Sequence, residues 1–324
     1  MDESQVIKDS LRDELNQFDS YLRKALETDN KRISDIVQHA FKADGKRIRP
    51  MLVFLVAKSC GKVTSATYHG AVTVELLHTA TLMHDDVVDE AATRRGQPST
   101  NAVFDNKRSV LAGDYVLSSA LVESVKTDNL EIIGLISELG QNLAEGELNQ
   151  YSLVNEIIID ENEYFKVIDK KTASLLYACA KIGAITAGAD RYTIEEFGKA
   201  GQKLGIAFQI RDDIFDYYKA DIGKPTGNDI REGKITLPLI YALKNSSKEI
   251  SDKMMNIIRS YDFSPENIEI LLDFAKRNGG IEYAYKTMEK LLEEAEQIIQ
   301  NVSINNEYKI MLNLLLMYLK NRQF

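Results

Sequence analysis

Apolar residues recur every three or four positions along most of this 324-residue chain. The spacing is clear in "DSLRDELNQFDSYLRKAL", in "NLEIIGLISELGQNLAEGEL" and in "YKTMEKLLEEAEQIIQNV". It predicts amphipathic helices, because one face of a helix repeats every 3.6 residues. The strict alternation of apolar and polar residues that is typical of half-buried strands is scarce. The pattern therefore predicts an all-α protein made of many helices joined by short turns.

Two segments, 65–90 and 164–189, are apolar on more than one face. Such helices are typical of the middle of a bundle, where every face meets another helix. By contrast, the amphipathic stretch at about 1–28 is predicted to pack on the outside, and the glycine- and lysine-rich stretch 219–234 to form a loop. Since no repeat or flexible linker is visible, we expect a single domain over residues 1–324.

The composition restricts the classes of function. Hydrophobic residues make up 44% and charged residues 27% of the chain, so the core is large enough to hold a deep pocket. A net charge of −9 disfavours nucleic acid and anionic membranes as partners. Cys60 and Cys179 lack zinc-site spacing and are expected to be free thiols. Neither a signal segment nor a membrane-length apolar run is visible, which favours a soluble cytoplasmic protein.

Two acid motifs with the spacing D-D-x-x-D follow apolar segments, in "LMHDDVVDEAATRRGQ" and in "GIAFQIRDDIFDYY". On a helix, positions i and i+4 share a face about 6 Å apart, so Asp85 lies beside Asp89 and Asp212 beside Asp216. Carboxylates at this density need cations. Magnesium is commonly held by one or two carboxylates together with substrate phosphates. The two motifs therefore predict Mg²⁺ ions that hold a diphosphate.

Basic residues accompany these acid motifs. Arginine forks match phosphate oxygens bidentately, whereas lysine acts as a point charge. Their presence beside acid motifs in a net acidic chain predicts two phosphate sites, one reached through metal and one direct. The candidates are Lys46, Arg47, Arg49, Arg94, Arg95, Lys170, Lys171, Lys224 and Lys234.

These stretches, in this order and spacing, resemble the trans-isoprenyl diphosphate synthases, also called polyprenyl synthetases. The resemblance covers about residues 40–245 and rests on "GKRIRP", "ELLHTATLMHDDVVDEAATRRGQP", "LAGDY", "KKTASL", "GIAFQIRDDIFDY" and "GKPTGNDIREGKITLPLI". It implies an all-α bundle around a central hydrophobic cavity, the isoprenoid synthase fold, in a homodimer. It also implies head-to-tail condensation of isopentenyl diphosphate onto an allylic diphosphate primer.

The resemblance also implies roles for individual residues. Magnesium, three ions per active site with diphosphate bound, is assigned to Asp85, Asp89 and Asp212, with Asp86, Asp213 and Asp216 as outer partners or occasional ligands. The allylic diphosphate is assigned to Arg94, Lys171 and Lys224. Isopentenyl diphosphate is assigned to Lys46, Arg49, His78 and Arg95. Thr172 and Gln209 match polar residues near the reacting carbons, and Asp229 and Lys234 belong to the same loop region.

The length of the product is predicted from the helix that ends in Asp85. One helical turn rises about 5.4 Å, roughly one isoprene unit, so residues one turn below Asp85 decide whether a tail can pass. These are Ala80 and Thr81, which are small, with Leu77 deeper as wall or floor. In members of the family that make short products, this level often carries an aromatic side chain. We therefore expect an all-trans product of about thirty carbons or more, near forty, as in a quinone side chain.

Three other functions stay open at this point. A short-chain farnesyl or geranylgeranyl diphosphate synthase differs only in product length. A terpene cyclase usually combines Asn/Asp, Ser/Thr and Glu in its second motif, which "DDIFD" does not, and lacks the "GKRIRP" site. A non-catalytic subunit of a heteromeric synthase tends to lose acids from one motif, and both are intact here. Release of a long apolar product is expected to involve transient membrane contact.

Overall fold

The computed structural model describes residues 3–42, 45–218 and 226–321, and these are helical almost throughout. The helices, numbered α1 to α17 in chain order, are Glu3–Ser10, Arg12–Ala25, Lys31–Ala40, Ile48–Cys60, Ser65–Val88, Thr100–Phe104, Asn106–Val125, Leu130–Asn155, Glu161–Ile168, Ser174–Thr186, Arg191–Phe215, Asn228–Arg231, Leu237–Asn245, Lys248–Ser260, Pro265–Arg277, Gly280–Asn301 and Asn306–Asn321. A π-helical turn spans Asp169–Ala173, and two short strands, β1 (Thr93–Arg94) and β2 (Gln97–Pro98), pair antiparallel. The predicted all-α class is confirmed.

The predicted central helices are present, with two differences in detail. Helix α5 fills 65–88 as predicted and begins at a capping box, in which Thr64 and Thr67 exchange side-chain and backbone hydrogen bonds. The segment 164–189, predicted as one helix, is interrupted by the π-helical turn. The N-terminal helix is two helices separated at Leu11, whose side chain is fully buried.

The chain divides into two compact units. The first unit consists of Met1–Gly140, Leu175–Gly201 and Ile298–Leu315. Helices α4 and α5 form its interior, and almost all side chains from Pro50 to Ala57 and from Gly70 to Leu77 are buried. Helix α10 crosses both closely, because glycine has no side chain at the crossing. A Cβ on Gly183 would lie 2.5 Å from the Val53 carbonyl oxygen.

The second unit consists of Gln141–Ser174, Gln202–Gln297 and Leu316–Phe324. Its π-helical turn lies against α8 and α11, and both contacts again depend on glycine. A Cβ on Gly146 would lie 2.7 Å from the Lys171 amide nitrogen, and one on Gly205 would lie 2.9 Å from the Ala173 Cβ. The glycine in α11 thus provides the room for the Ala173 methyl group. The single domain over 1–324 stays a prediction.

Along the described ranges, none of the helices combines the length and apolarity that crossing a membrane requires.

Candidate active site

The first acid motif occupies the last turn of α5 in the first unit. Asp85 is half-buried, Asp86 is 2% exposed and Asp89 is exposed. The amide of Asp89 still donates to the Asp85 carbonyl at 2.8 Å, so the helix delivers the aspartates at the first and fifth positions of the motif to its end. Because Ala80 and Met83 just below are buried, the carboxylates emerge from apolar packing, as predicted.

The second aspartate of this motif is committed to an arginine. Arg94 donates from Nε to Asp86 Oδ1 at 2.7 Å and also from Nη2 to the same oxygen. The short hairpin carries Arg94 to this position, with Arg95 and Gly96 at its turn in the left-handed region, at φ of 50° and 75°. Asp86 therefore holds a predicted diphosphate-binding arginine rather than facing outward.

Cationic side chains of the first unit gather close to His78. Burial, with Arg49, Arg95 and Arg94 nearby, lowers the pKa of His78 well below its usual range. Burial also lowers the pKa of Arg49, and the buried Arg49 Nε finds no hydrogen-bond partner among the described residues. Three arginines near one another with a single unused donor favour an anion. The structure thus brings Arg49, His78, Arg94 and Arg95 together, as the direct phosphate site requires.

Two motifs that are distant in sequence meet at this cationic cluster. A Cβ on Gly45 of "GKRIRP" would lie 3.1 Å from Arg95 Nη1. A larger residue at position 45 would therefore displace the Arg95 guanidinium slightly. Lys46, the next residue, is exposed. Arg47 points elsewhere, since it pairs with Asp19 at 2.9 Å and lies 5.3 Å from the Phe18 ring centroid. A small cavity of about 50 Å³ lies beside Asp86, Arg94 and Arg95.

The predicted chain-length residues lie in the middle of α5. Ala80 is 1% exposed and Leu77 is 2% exposed, whereas Thr81 is half-buried and donates its hydroxyl to the His78 carbonyl at 2.9 Å. The small side chains predicted for this level are thus enclosed in the first unit. Whether a product passes them stays a prediction.

The second acid motif ends α11 in the second unit. Asp212 is half-buried, and Asp213 is 4% exposed with both carboxylate oxygens hydrogen-bonded. Tyr164 donates to Oδ2 at 2.6 Å and Gln209 donates to Oδ1 at 2.8 Å. Burial outweighs these donors and raises the pKa of Asp213 to about 6. The second aspartate again faces the protein interior, but its partners are neutral.

Asp216, at the fifth position of this motif, accepts hydrogen bonds from the N-terminus of α12. Its oxygens accept the backbone N–H groups of Asn228 and Asp229 at 2.9 and 3.0 Å. Burial raises the pKa of Asp216, and burial together with Asp213 and Asp216 raises the pKa of Asp229 to about 8. For both acids burial outweighs the nearby cations Arg231 and Lys234, so this acid cluster favours a further cation.

The predicted basic and polar residues of the second unit lie around this acid cluster. Lys171 in the π-helical turn pairs with Glu147 and donates to Gln150 Oε1 at 3.2 Å, and Lys234 pairs with Glu232 at 2.5 Å. A cavity of about 180 Å³ has an apolar wall and a polar wall. Its polar wall includes Lys171, Thr172, Gln209, Asp213, Asp229 and Lys234. Lys224 lies outside the described residues.

The ligands around these acid motifs suit a magnesium ion whose coordination is completed by substrate, rather than an ion held by protein side chains alone. Among residues 3–42, 45–218 and 226–321, no three His, Cys, Asp or Glu side chains are grouped closely enough to hold an ion by themselves. Each helix end, taken by itself, offers a few carboxylate oxygens, and such a partial oxygen set suits Mg²⁺ when a substrate supplies phosphate oxygens.

Sequence reasoning did not identify three residues that the structure places at these sites. Glu75, buried in α5, is the carboxylate whose charge acts most strongly on Arg49. His39 contacts the hairpin through a hydrogen bond with the Pro98 carbonyl at 2.9 Å. Tyr164 binds Asp213. For Tyr164 the available signal was its helical spacing, since it precedes Lys171 by seven residues, about two turns.

Comparison with known proteins agrees with this arrangement. Residues 30–274 match the family model described as polyprenyl synthetase. The chain is 36% identical to octaprenyl diphosphate synthase of Escherichia coli over 282 residues, 86% of each protein. The structure of a decaprenyl diphosphate synthase from Rhodobacter capsulatus superimposes with a TM-score of 0.93 at 32% identity, covering 98% of both chains. A geranylgeranyl pyrophosphate synthase from Bacteroides thetaiotaomicron gives 0.86 at 40% identity, covering 99% of this chain and 100% of that one.

An all-helical fold with two D-D-x-x-D helix ends and a cationic cluster defines a prenyltransferase of the isoprenyl diphosphate synthase type. The chain belongs to the polyprenyl synthetase family. It is a transferase, and the octaprenyl, nonaprenyl and decaprenyl names of its relatives support a long-chain all-trans product. Members of this family depend on Mg²⁺ and use isopentenyl diphosphate with an allylic diphosphate.

Proposed function

We propose that this enzyme condenses isopentenyl diphosphate head-to-tail onto an allylic diphosphate and extends the chain to about forty carbons. One observation carries the proposal: both acid motifs are intact, and each ends a helix with its first aspartate half-buried and its second held in protein hydrogen bonds. A site that must bind two diphosphates needs direct cationic contacts as well, and the cluster around His78 supplies them.

The roles of the residues follow their surroundings. Isopentenyl diphosphate is assigned to the cationic cluster of the first unit, where Arg49 has an unused buried donor. The allylic diphosphate is assigned to Arg94, Lys171, Lys224 and Lys234. Lys46 and Arg95 complete the isopentenyl site. The ion pairs of Lys171 with Glu147 and of Lys234 with Glu232 exchange their carboxylates for phosphate oxygens when the substrate binds.

Three Mg²⁺ ions are assigned to Asp85, Asp89 and Asp212, with Asp86 and Asp216 supporting them. When bound, the metal neutralises the diphosphate and stabilises the negative charge that grows on it as it leaves. The raised pKa values of Asp213 and Asp229 support a cation in the second unit. Asp216 accepts one backbone N–H at each oxygen, which leaves further lone pairs for a metal-bound water.

The reaction needs neither a nucleophilic side chain nor a general base. The C1–oxygen bond of the allylic diphosphate breaks, and Arg94 and Lys171 hold the leaving diphosphate. The double bond of isopentenyl diphosphate attacks the allylic C1, and a proton then leaves C2 of the added unit to the released diphosphate. Thr172 and Gln209 present polar atoms near the reacting carbons, while apolar walls exclude water from the carbocation.

The enzyme is further proposed to act as a homodimer in the cytoplasm. Helix α7 leaves Leu111, Val122 and Val125 exposed on one face, at 59%, 55% and 60%, which supports a second copy covering that face. The substrates are anionic and water-soluble, which supports a cytoplasmic site of action. Sedimentation equilibrium of the wild type and of Val122→Asp tests the dimer, and we expect the variant to dissociate.

One assay tests the proposed reaction. Radiolabelled isopentenyl diphosphate is incubated with geranyl or farnesyl diphosphate, with Mg²⁺ or with excess chelator, and the extracted products are dephosphorylated and separated by chromatography. We expect Mg²⁺-dependent products near forty carbons. Products of twenty carbons would favour a geranylgeranyl diphosphate synthase, the activity named for the Bacteroides relative. Cyclised products or no turnover would contradict the proposed reaction.

Replacement of a small residue on α5 tests the product length. Ala80 is enclosed one turn below Asp85, and a turn rises about 5.4 Å. Ala80→Phe should therefore shorten the product to about fifteen or twenty carbons while condensation continues, because the obstruction lies below the reacting atoms. Ser137→Phe, at an exposed position of α8, is the matched control. An unchanged distribution of products in Ala80→Phe would show that this face of α5 does not limit the chain.

A further inference from the structure

A chain of three hydrogen bonds in the second unit begins at Tyr164 on α9 and ends in the π-helical turn. The Tyr164 hydroxyl donates to Asp213 Oδ2 at 2.6 Å. Gln209 Nε2 donates to Asp213 Oδ1 at 2.8 Å, and Thr172 Oγ1 donates to Gln209 Oε1 at 2.8 Å. All four side chains line the cavity of about 180 Å³. Tyr164 and Asp213 are 5% and 4% exposed, so water competes little for their bonds.

The chemistry of these groups allows only one direction along the chain. An ionised carboxylate accepts hydrogen bonds and cannot donate one, so Gln209 must turn its NH₂ group toward Asp213. Its oxygen then faces Thr172, and the threonine hydroxyl must donate to it. The threonine O–H is engaged, whereas lone pairs of Thr172 Oγ1 and Gln209 Oε1 stay available, and the second N–H of Gln209 lies on the nitrogen that faces Asp213.

We propose that Tyr164 is a positioning residue for allylic ionisation, acting through Asp213 to set the direction of the Gln209 amide and the Thr172 hydroxyl. The inference rests on the proposed function, in which Thr172 and Gln209 lie near the reacting carbons. Oxygen lone pairs at that position stabilise positive charge on the allylic carbons, whereas an N–H or O–H would oppose it. The preset direction avoids reorientation of dipoles at the moment the carbon–oxygen bond breaks.

Tyrosine suits this role for a physical reason. Asp213 is buried, and within the described part of the chain its hydrogen-bond donors are the neutral Tyr164 and Gln209, one on each oxygen. A phenol donates strongly and cannot bring a second positive charge to a site where a carbocation forms. Without the Tyr164 hydroxyl, Asp213 can rotate or take a proton, and the Gln209 amide loses the acceptor that determines its orientation.

The experiment compares two tyrosine-to-phenylalanine variants of the full-length enzyme in the Mg²⁺-dependent turnover assay. Tyr164→Phe removes the donor to Asp213. Tyr217→Phe is the matched control, because Tyr217 is also buried in the second unit but its hydroxyl pairs with Thr236, at 3.2 Å. We expect Tyr164→Phe to lower kcat about 10-fold to 100-fold, the usual range for loss of a hydrogen bond to a charged group. We expect KM for both substrates to stay within about threefold.

A purely structural role would lower kcat no more in Tyr164→Phe than in Tyr217→Phe at matched losses of Tm, and that outcome would overturn the inference. A double-mutant cycle adds a second criterion. In the Asp213→Asn background, the new amide can both donate and accept, so it no longer fixes the orientation of Gln209. In that background, Tyr164→Phe should lower kcat by less than about twofold further. Full additivity would show that Tyr164 does not act through Asp213. A wild-type enzyme without turnover would overturn the proposed function and this inference together, whereas normal turnover by Tyr164→Phe would overturn the inference alone.

Discussion

The two acid motifs share the pattern D-D-x-x-D but differ in what holds the aspartates at their second and fifth positions. In the first unit, Asp86 is paired with the cation Arg94, and Asp89 ends at the exposed tip of α5. In the second unit, Asp213 is held by the neutral donors of Tyr164 and Gln209, and Asp216 receives the backbone of α12. The comparison teaches that the second aspartate has its charge compensated by an arginine in the first motif, whereas in the second motif only neutral donors hold it.

The largest expected effect tests what the motifs have in common, namely their first aspartates. Asp85→Asn and Asp212→Asn should each lower kcat about 10²–10³-fold, because in the proposed function each removes a carboxylate that would hold Mg²⁺ against the leaving diphosphate. Steady-state kinetics at saturating Mg²⁺ measure this, with circular dichroism to show that the fold is kept. Asp252→Asn, at an exposed position of α14, is the control. Near-normal turnover in either motif variant would remove that motif from the metal site.

The next effect tests whether the basic residues of the two units serve different substrates. Arg49→Ala should raise KM chiefly for isopentenyl diphosphate, by about 10-fold, because a buried guanidinium donor to phosphate is lost. Lys171→Ala and Lys224→Ala should raise KM chiefly for the allylic primer. Initial rates with one substrate varied at a time distinguish the two patterns. Equal loss of affinity for the same substrate in both kinds of variant would contradict the division.

A smaller effect separates the second aspartates. Asp86→Asn leaves Arg94 without its anionic partner and should lower stability by about 1–3 kcal/mol. Asp213→Asn removes a buried charge whose partners are neutral, and an asparagine oxygen can still accept from one of them. Thermal unfolding of the metal-free proteins at pH 8 should therefore show a clear loss of Tm for Asp86→Asn and little loss for Asp213→Asn. The reverse order would mean that the partners were assigned to the wrong motifs.

The smallest effect concerns pH. The pKa of Asp229 is raised from 3.8 to about 8, so between these values the folded protein binds more protons than the unfolded one. Stability of the metal-free protein should therefore fall as pH rises through this window. Asp229→Asn cannot ionise, and it should raise Tm by about 2 °C or more at pH 8 and by less at pH 5. Mg²⁺ with inorganic diphosphate should narrow this difference by stabilising the wild type. A gain that is equal at both pH values would contradict the burial of an uncompensated carboxyl.

Much of the fold was available from the sequence because helical burial is periodic. The run of apolar residues on more than one face predicted the central helix α5, and the 3.6-residue repeat predicted the amphipathic helices. The π-helical turn at Asp169–Ala173 was not predicted. Its residues have ordinary helical patterning, and the extra residue in the turn depends on close contacts with Gly146 and Gly205, which lie 23 and 32 residues away or more.

The sequence by itself determined the family, the enzyme class and which types of residue carry the chemistry, since motif order and spacing are local properties of the chain. Tertiary structure alone decided which aspartate of each motif faces inward and what holds it there. Arg94 reaches Asp86 only because the hairpin turns back at Arg95 and Gly96, and Tyr164 reaches Asp213 across 49 residues of sequence. Partners of buried charges are chosen by packing between elements, because desolvation makes the nearest available donor decisive, and no local pattern records which donor that will be.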